Sequence, residues 1–347
     1  MLIIRKLAPT RLKLLIYSVI VNPFRAISSR VLESAVARLD RHLIKRHGVG
    51  LSLSLKPISD GVEYRNSDFG ITVHGKIVDN NFLHTSLIRL RKLCPDSPIV
   101  LSTYRNDLTQ ETRELCGSQG IVVVECPELD ELPPPFHANL ARSVASAFYG
   151  ISEVQKMGAT WAMKLRVDQE ITQIKGVKFV EGLLQGNILS GANSNRVIGT
   201  SYNSFKNLPL FLSDMLHFGD IQTLLKYWDL LEPGDFEILT QSIYSGADGL
   251  LLRLNIHPEV WLSSRYMRTM GQSLHDSEDA NLRFWNEYAG VVDAVSLGQN
   301  WVKSLNAFDS NYESTKWLGH PLGLRNLELR FADWAVQVLT TNTNIKE

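Results

Sequence analysis

Cysteine is scarce in this chain and poorly spaced for cysteine chemistry. The 347 residues contain three, Cys94, Cys116 and Cys126, and no Cys-x-x-Cys pair. That argues against a disulfide framework and a thiolate zinc site, and it points to a reducing cytoplasm. Long apolar runs are missing too. The longest near the start, from Leu14 to Val21, is far short of the roughly 20 residues that span a bilayer. No convincing small-residue cleavage site follows it, so a signal peptide is disfavoured. Internal repeats and low-complexity tracts are absent. So are Gly-x-Gly-x-x-Gly after the first strand, a phosphate loop ending in Gly-Lys-Ser/Thr, a Gly-x-Ser-x-Gly elbow and His-Glu-x-x-His. These gaps argue against a dinucleotide fingerprint, a P-loop enzyme, a serine hydrolase and a zinc peptidase.

Net charge is absent as well, since 36 Lys/Arg balance 36 Asp/Glu. The balance hides an asymmetry. Residues 1–50 hold ten basic and two acidic side chains, an excess of eight positive charges that the rest of the chain cancels. The main body therefore has no general affinity for nucleic acid. The stretch from Thr10 to Arg46 reads as basic amphipathic helix interrupted at Pro23, with Leu32, Val36, Leu39 and Leu43 on one stripe. Such a segment can lie on an anionic membrane surface, or pack on the main domain with its charges in water. A Gly/Ser/Pro-containing linker over 48–68 closes this extension, which gives a basic helical unit over 1–67 and a main domain over 68–340.

What is present from residue 70 onward is a regular alternation. Gly70–His74, Pro98–Thr103 and Ile121–Glu125 are short continuous apolar runs, which suit parallel strands covered on both faces. Between them fall a helix capped by Asp79/Asn80 and a shorter one from about Thr109 to Cys116. The triple proline at 133–135 precedes a long helix, roughly His137 to Met157, with Leu140, Val144, Phe148, Ile151 and Val154 as its buried stripe. A fourth strand, from Trp161, runs into Lys164, Arg166 and Asp168. Beyond it the expected elements are a helix over 177–184, strands at Ile188–Ser190 and Val197–Tyr202, a helix from Asp220 to about Leu231 and another over Pro258–Met270. The class is α/β: a mostly parallel, nucleotide-binding sheet flanked by helices.

Ligands of such sheets collect at the carboxyl ends of the parallel strands. His74 and Lys76 follow the first strand and Thr103 and Arg105 the second. Asn139 and Arg142 lie near the start of the long helix, where unpaired N–H groups favour anions. With Lys164, Arg166 and Asp168 they form the candidate donor-binding set. This array suits transfer of a group from a phosphate-activated donor, where the protein positions substrates and offsets charge on the leaving group.

Several of these residues also carry a resemblance. His74-Gly-Lys-Ile77, Leu101-Ser-Thr103, Asn139-x-x-Arg142, Lys164-Leu-Arg-x-Asp168, Phe211-x-Ser-Asp214-x-x-x-Phe-Gly219 and Pro258-Glu259 resemble the WavE-type lipopolysaccharide synthesis proteins, over roughly 68–290. The resemblance implies a glycosyltransferase of the GT-A type, and the basic N-terminal segment adds the expectation that it works at the inner face of the cell membrane. It would move a sugar from a nucleotide-sugar donor to a lipopolysaccharide or other lipid-linked glycan acceptor. It also implies that Asp168 stands at the second acid of an Asp-x-Asp motif, which holds Mn²⁺ or Mg²⁺ on the donor diphosphate. Here Arg166 replaces the first acid, and an Arg–phosphate pair can take over part of the cation's work. The plain alternative is an Arg166–Asp168 ion pair that closes a strand. Asp214 is the candidate general base and Glu259 the reserve; a helix-cap role for Ser213 and Asp214 is the competing reading. Two other functions stay open: a nucleotidyltransferase that makes activated sugar, and a noncatalytic assembly factor with a degenerate nucleotide site.

Overall fold

The computed structural model describes residues 64–128, 135–185, 195–205, 208–231, 235, 257–274, 277–301, 329, 331–332 and 334–335. The chain divides into two units, Met1–Lys56 with Ala307–Glu313 and Pro57–Asn306 with Ser314–Glu347. Every described residue belongs to the second. The expected basic helices of the first 46 residues and the strand at Ile188–Ser190 lie outside the described residues. Among the described residues no helix is long and apolar enough to cross a membrane.

The opening alternation folds as its pattern dictates. Strand β1 (Phe69–His74) leads to α1 (Asn80–Leu93), where the Asp79 carboxylate accepts from the Phe82 N–H at 2.9 Å and caps the helix. Strand β2 (Ile99–Tyr104) is followed by a 3₁₀ turn (Arg105–Asp107) and α2 (Gln110–Ser118), capped by Thr109. Then come β3 (Val122–Cys126), α3 (Pro135–Lys156), β4 (Trp161–Arg166), a short β5 (Gln169–Glu170), α4 (Ile174–Gln185) and β6 (Val197–Thr200). Strand β7 (Leu216–Asp220) runs directly into α5 (Ile221–Tyr227). The remaining elements are α6 (Pro258–Thr269), α7 (Ser277–Arg283), a π-helical turn (Phe284–Tyr288), β8 (Ala289–Val292), α8 (Ala294–Leu297) and β9 (Asn300–Trp301).

Seven strands form one sheet in the order β3-β2-β1-β4-β7-β6-β8, and β5 pairs with β9 apart from it. Each neighbouring pair is parallel except β4–β7 and β6–β7. Strand β7 is thus a single reversed strand wedged between parallel ones. Its amino end lies beside the carboxyl ends of β4 and β6, because Leu216 pairs with Leu165 and His217 with Gly199. The sequence expectation had no strand direction for this stretch. It also allowed Ser213 and Asp214 as a helix cap. In the structure they lead into β7, and the cap of α5 is Asp220, whose Oδ1 accepts from the Gln222 and Thr223 N–H groups.

The two faces of the sheet differ in chemistry. Ile71, Val73, Met163, Leu165 and Phe218 lie on one pleat face and enter the hydrophobic core. On the other face register places Thr72 beside Lys164, His74 beside Arg166 and Ser102, and Lys164 beside His217. Helix α3 covers this polar row at very close range. A Cβ on Gly150 would stand 2.3 Å from Thr72 Cγ2 and 2.8 Å from Ser102 Cβ, so only glycine fits there. The three thiols, Cys94, Cys116 and Cys126, are buried and free.

Candidate active site

The polar groups gather at the edge where the parallel strands end and β7 begins. The chain leaves β4 at Arg166, whose Nε and Nη2 donate to the two carboxylate oxygens of Asp168 at 3.0 and 3.1 Å. Arg166 also reaches across to β7's entry loop, with Nη1 3.5 Å from Asp214 Oδ2. Burial works against this guanidinium, but Asp214 and Asp168 more than offset it and hold its pKa above the ordinary arginine value. Asp168 is 3 % exposed and takes a third hydrogen bond, from Trp301 Nε1 at 2.9 Å. The Arg166–Asp168 ion pair foreseen as the plain alternative is therefore present, and it extends to a second acid.

Glu259, in the first turn of α6, completes the cluster. Burial pushes its carboxyl up to about 8, and the charge of Asp214 adds to the shift, while Arg166 and the amide of Asn203 oppose it. Asn203 Nδ2 donates to Glu259 Oε1 at 2.7 Å from a left-handed backbone conformation, φ 63°, which asparagine tolerates better than most residues. The loops after β6 and before β7 are tied together: the Ser213 N–H donates to Ser204 Oγ at 3.0 Å, and that hydroxyl donates to the Thr200 carbonyl at 2.6 Å. Asp214 therefore sits on a held segment.

A second layer lies beneath. Lys164 is fully enclosed, its Nζ donating to the Asp214 main-chain carbonyl and standing 4.0 Å from the centre of a Trp228 ring. Trp228 Nε1 in turn donates to His217 Nδ1 at 3.0 Å. Burial pushes the Lys164 ammonium down to about 7, with Asp214 the main opposing influence. His74 and His217 are both held well below the usual imidazole value. Burial is the first cause for each, and the charge of Lys164 adds to it.

Other expected residues fall into a neighbouring group at the ends of β1 and β2. Lys76 is exposed, Arg142 half-buried with its guanidinium 5.7 Å from the centre of the Tyr104 ring, and Asn139 exposed. Both basic groups act on Asp107, whose carboxyl is raised by burial and opposed by Lys76 and Arg142. Four placements correct the sequence expectation. Thr103 is buried and donates to the Gly75 carbonyl at 2.7 Å, holding the turn that Gly75 makes at φ 113°. Arg105 turns outward and pairs with Glu125 on β3 at 2.8 Å. His74, 1 % exposed, faces α3, with Nδ1 3.0 Å from Ser146 Oγ. Lys164 is likewise beneath the rim rather than on it.

The donor set at Asp168 does not fit a resident divalent cation. Both of its oxygens face Arg166, one also accepts from Trp301, and a dication there would stand against a guanidinium. No group of three His, Cys, Asp or Glu residues with metal-binding geometry occurs among the described residues. Asn203 and Trp301 were missed by sequence reading. The left-handed backbone that favours Asn203 leaves no trace in composition, and Trp301 meets Asp168 only through the β5–β9 pairing.

Fold and site together define an α/β protein with an acid–arginine cluster at the carboxyl edge of a mostly parallel sheet. The model of the WavE lipopolysaccharide synthesis family matches residues 72–289, and the chain belongs to that family. No curated protein matches it. Among solved structures, it is similar to a cytidylyltransferase from Leptospira borgpetersenii at 12 % identity, over 58 % of this chain and 74 % of that one, with a TM-score of 0.30. It is also similar to a mannose-1-phosphate geranyltransferase from Thermus thermophilus at 11 % identity, over 74 % and 80 %, with a TM-score of 0.34.

Proposed function

We propose that the chain is a GT-A-like glycosyltransferase that moves a sugar from a nucleotide-sugar donor to a hydroxyl of lipopolysaccharide or another lipid-linked surface glycan. The observation that carries this reading is the Asp168–Arg166–Asp214 ion-pair chain, closed by Glu259, at the edge where the sheet's parallel strands end. Ligands of open α/β sheets bind at that edge. The donor diphosphate lies toward Lys76 and Arg142, the two cations of the β1–β2 rim. The sugar lies toward Arg166 and the three acids. Asp214 takes the proton of the acceptor hydroxyl as its oxygen bonds to the anomeric carbon. The bond from that carbon to the phosphate oxygen breaks, and the nucleoside diphosphate or monophosphate leaves with the electron pair. The Asp214 carboxylate also weighs against nucleotidyl transfer, whose sugar-phosphate acceptor would approach it with like charge. The basic segment over 1–50 would hold the enzyme at anionic lipid near its acceptor.

Calorimetry with UDP, GDP and CMP and their sugar conjugates, with and without Mn²⁺, tests the reading. Binding of one conjugate, followed by release of its nucleotide in the presence of acceptor glycan, is the expected result. Turnover of a nucleoside triphosphate with a sugar phosphate would replace it by a nucleotidyltransferase. No binding at all would leave an assembly factor.

A further inference from the structure

Lys164 has no place at a donor, since the fold encloses it completely. Burying an ammonium is costly unless its donors find partners. It donates to the Asp214 carbonyl and stands over the face of Trp228. We propose that Lys164 is a positioning residue that fixes the backbone at Asp214, so that the carboxylate stays aimed at Arg166 and the acceptor hydroxyl. The inference rests on Asp214 as the base, but its structural half is independent of what the enzyme transfers.

The surroundings are built for this task. Trp228 gives its N–H to His217 Nδ1, so the proton of neutral His217 sits on Nε2. Ser146 Oγ donates to the Ser143 carbonyl, so it accepts from His74, whose Nδ1 then carries the proton and whose Nε2 is bare. His217 Nε2 and His74 Nε2 are buried and without a partner among the described residues, one a donor and one an acceptor. Both rings pack near Trp228, with centroids 5.5 and 5.8 Å away, and both respond to the charge of Lys164. The charged or titratable groups facing Lys164 are His74 from β1, Arg166 and Asp168 from β4 and its exit, His217 from β7, Asp214 from the entry loop and Glu259 from α6. A neutral lysine still donates, so the latch loosens above neutral pH rather than vanishing.

Hydrogen exchange on the full chain, read by mass spectrometry on peptides covering Phe211–Phe218, tests this. In Lys164→Met the amides from Asp214 to Leu216 are expected to exchange at least tenfold faster, while β2 and β3 keep wild-type protection. With whichever nucleotide-sugar conjugate binds the wild type, affinity should stay within twofold and kcat fall at least tenfold. Unchanged exchange at 214–216 overturns the proposal, as does a loss of protection spread over the whole sheet, or a fall in donor affinity with kcat intact. Should Lys164→Met fail to fold, the wild type decides. Exchange at 214–216, corrected for its intrinsic pH dependence, should step up between pH 6 and 8, and a flat profile overturns the latch. If no nucleotide sugar binds the wild type, the transferase reading fails while the exchange result still stands or falls by itself.

Discussion

Replacing Glu259 by glutamine should make the protein more stable, and increasingly so as pH rises. The reasoning starts from burial. Glu259 is 9 % exposed, and its carboxyl is raised from an ordinary 4.5 to about 8. Between those two values the folded state binds a proton that the unfolded state has released. The sign follows: stability is fully present below pH 4.5, declines as pH rises, and reaches its lower plateau above pH 8. The shift corresponds to roughly 5 kcal/mol at most, at about 1.4 kcal/mol for each pH unit. Glutamine stays neutral throughout and its Oε1 can still accept from Asn203, as Glu259 Oε1 does at 2.7 Å. Denaturant melts of both proteins from pH 5 to 9 should therefore diverge, with Glu259→Gln gaining several kcal/mol by pH 8 to 9. Asp214→Asn should shrink the gap, since the Asp214 charge is the second cause of the shift. A Glu259→Gln protein that trails the wild type by a constant amount at every pH would refute the argument.

Asp214→Asn should lower kcat about 10²- to 10⁴-fold, the usual worth of a general base, with donor affinity held; unchanged turnover removes Asp214 from the chemistry. Asp168→Ala should cost about 2–4 kcal/mol in stability besides activity, because it strips a nearly buried partner from Arg166 and Trp301. A loss under 0.5 kcal/mol in denaturant melts would show the ion pair to be idle. Gly150→Ala should destabilise by up to about 2 kcal/mol, overpacking of about 1–3 against a gain in helix propensity near 1. Adding Thr72→Ala, which removes the Cγ2 at 2.3 Å, should restore at least half, and no restoration would mean the contact is not the cause. Asn281→Leu should cost about 2–4 kcal/mol, since Asn281 Oδ1 accepts both the Leu210 N–H at 2.9 Å and Trp285 Nε1 at 3.0 Å. Equal thermal midpoints for variant and wild type would contradict it.

The first three strands were legible as continuous apolar runs and the helices between them as apolar residues at helical spacing, each bounded by a cap or a turn. Asp79, Thr109 and Asp220 all cap helices that the sequence placed near them. The reversed direction of β7 was not legible. Period-two alternation reports which residues face the core but says nothing of which neighbour a strand will pair with. The charged cluster was half readable. Arg166 and Asp168 are two apart on one strand exit, so their pairing is local, whereas Asp214, Asn203 and Glu259 join them from three separate segments. Lys164 misled for a related reason. Its charge suggested the rim, but pairing with Thr72 and His217 places it under α3 and α5.

The reversed strand β7 ties assembly of the acid–arginine edge to completion of the seven-stranded sheet. Strands β1 to β4 can collapse through near-neighbour crossovers, but β7 can dock only once β4 presents a flank and β6 waits on the other side. Until that insertion occurs, Arg166 has Asp168 alone and Lys164 has no carbonyl to hold. A chain stalled halfway would carry the rim of Lys76 and Arg142 without Asp214 beside Arg166.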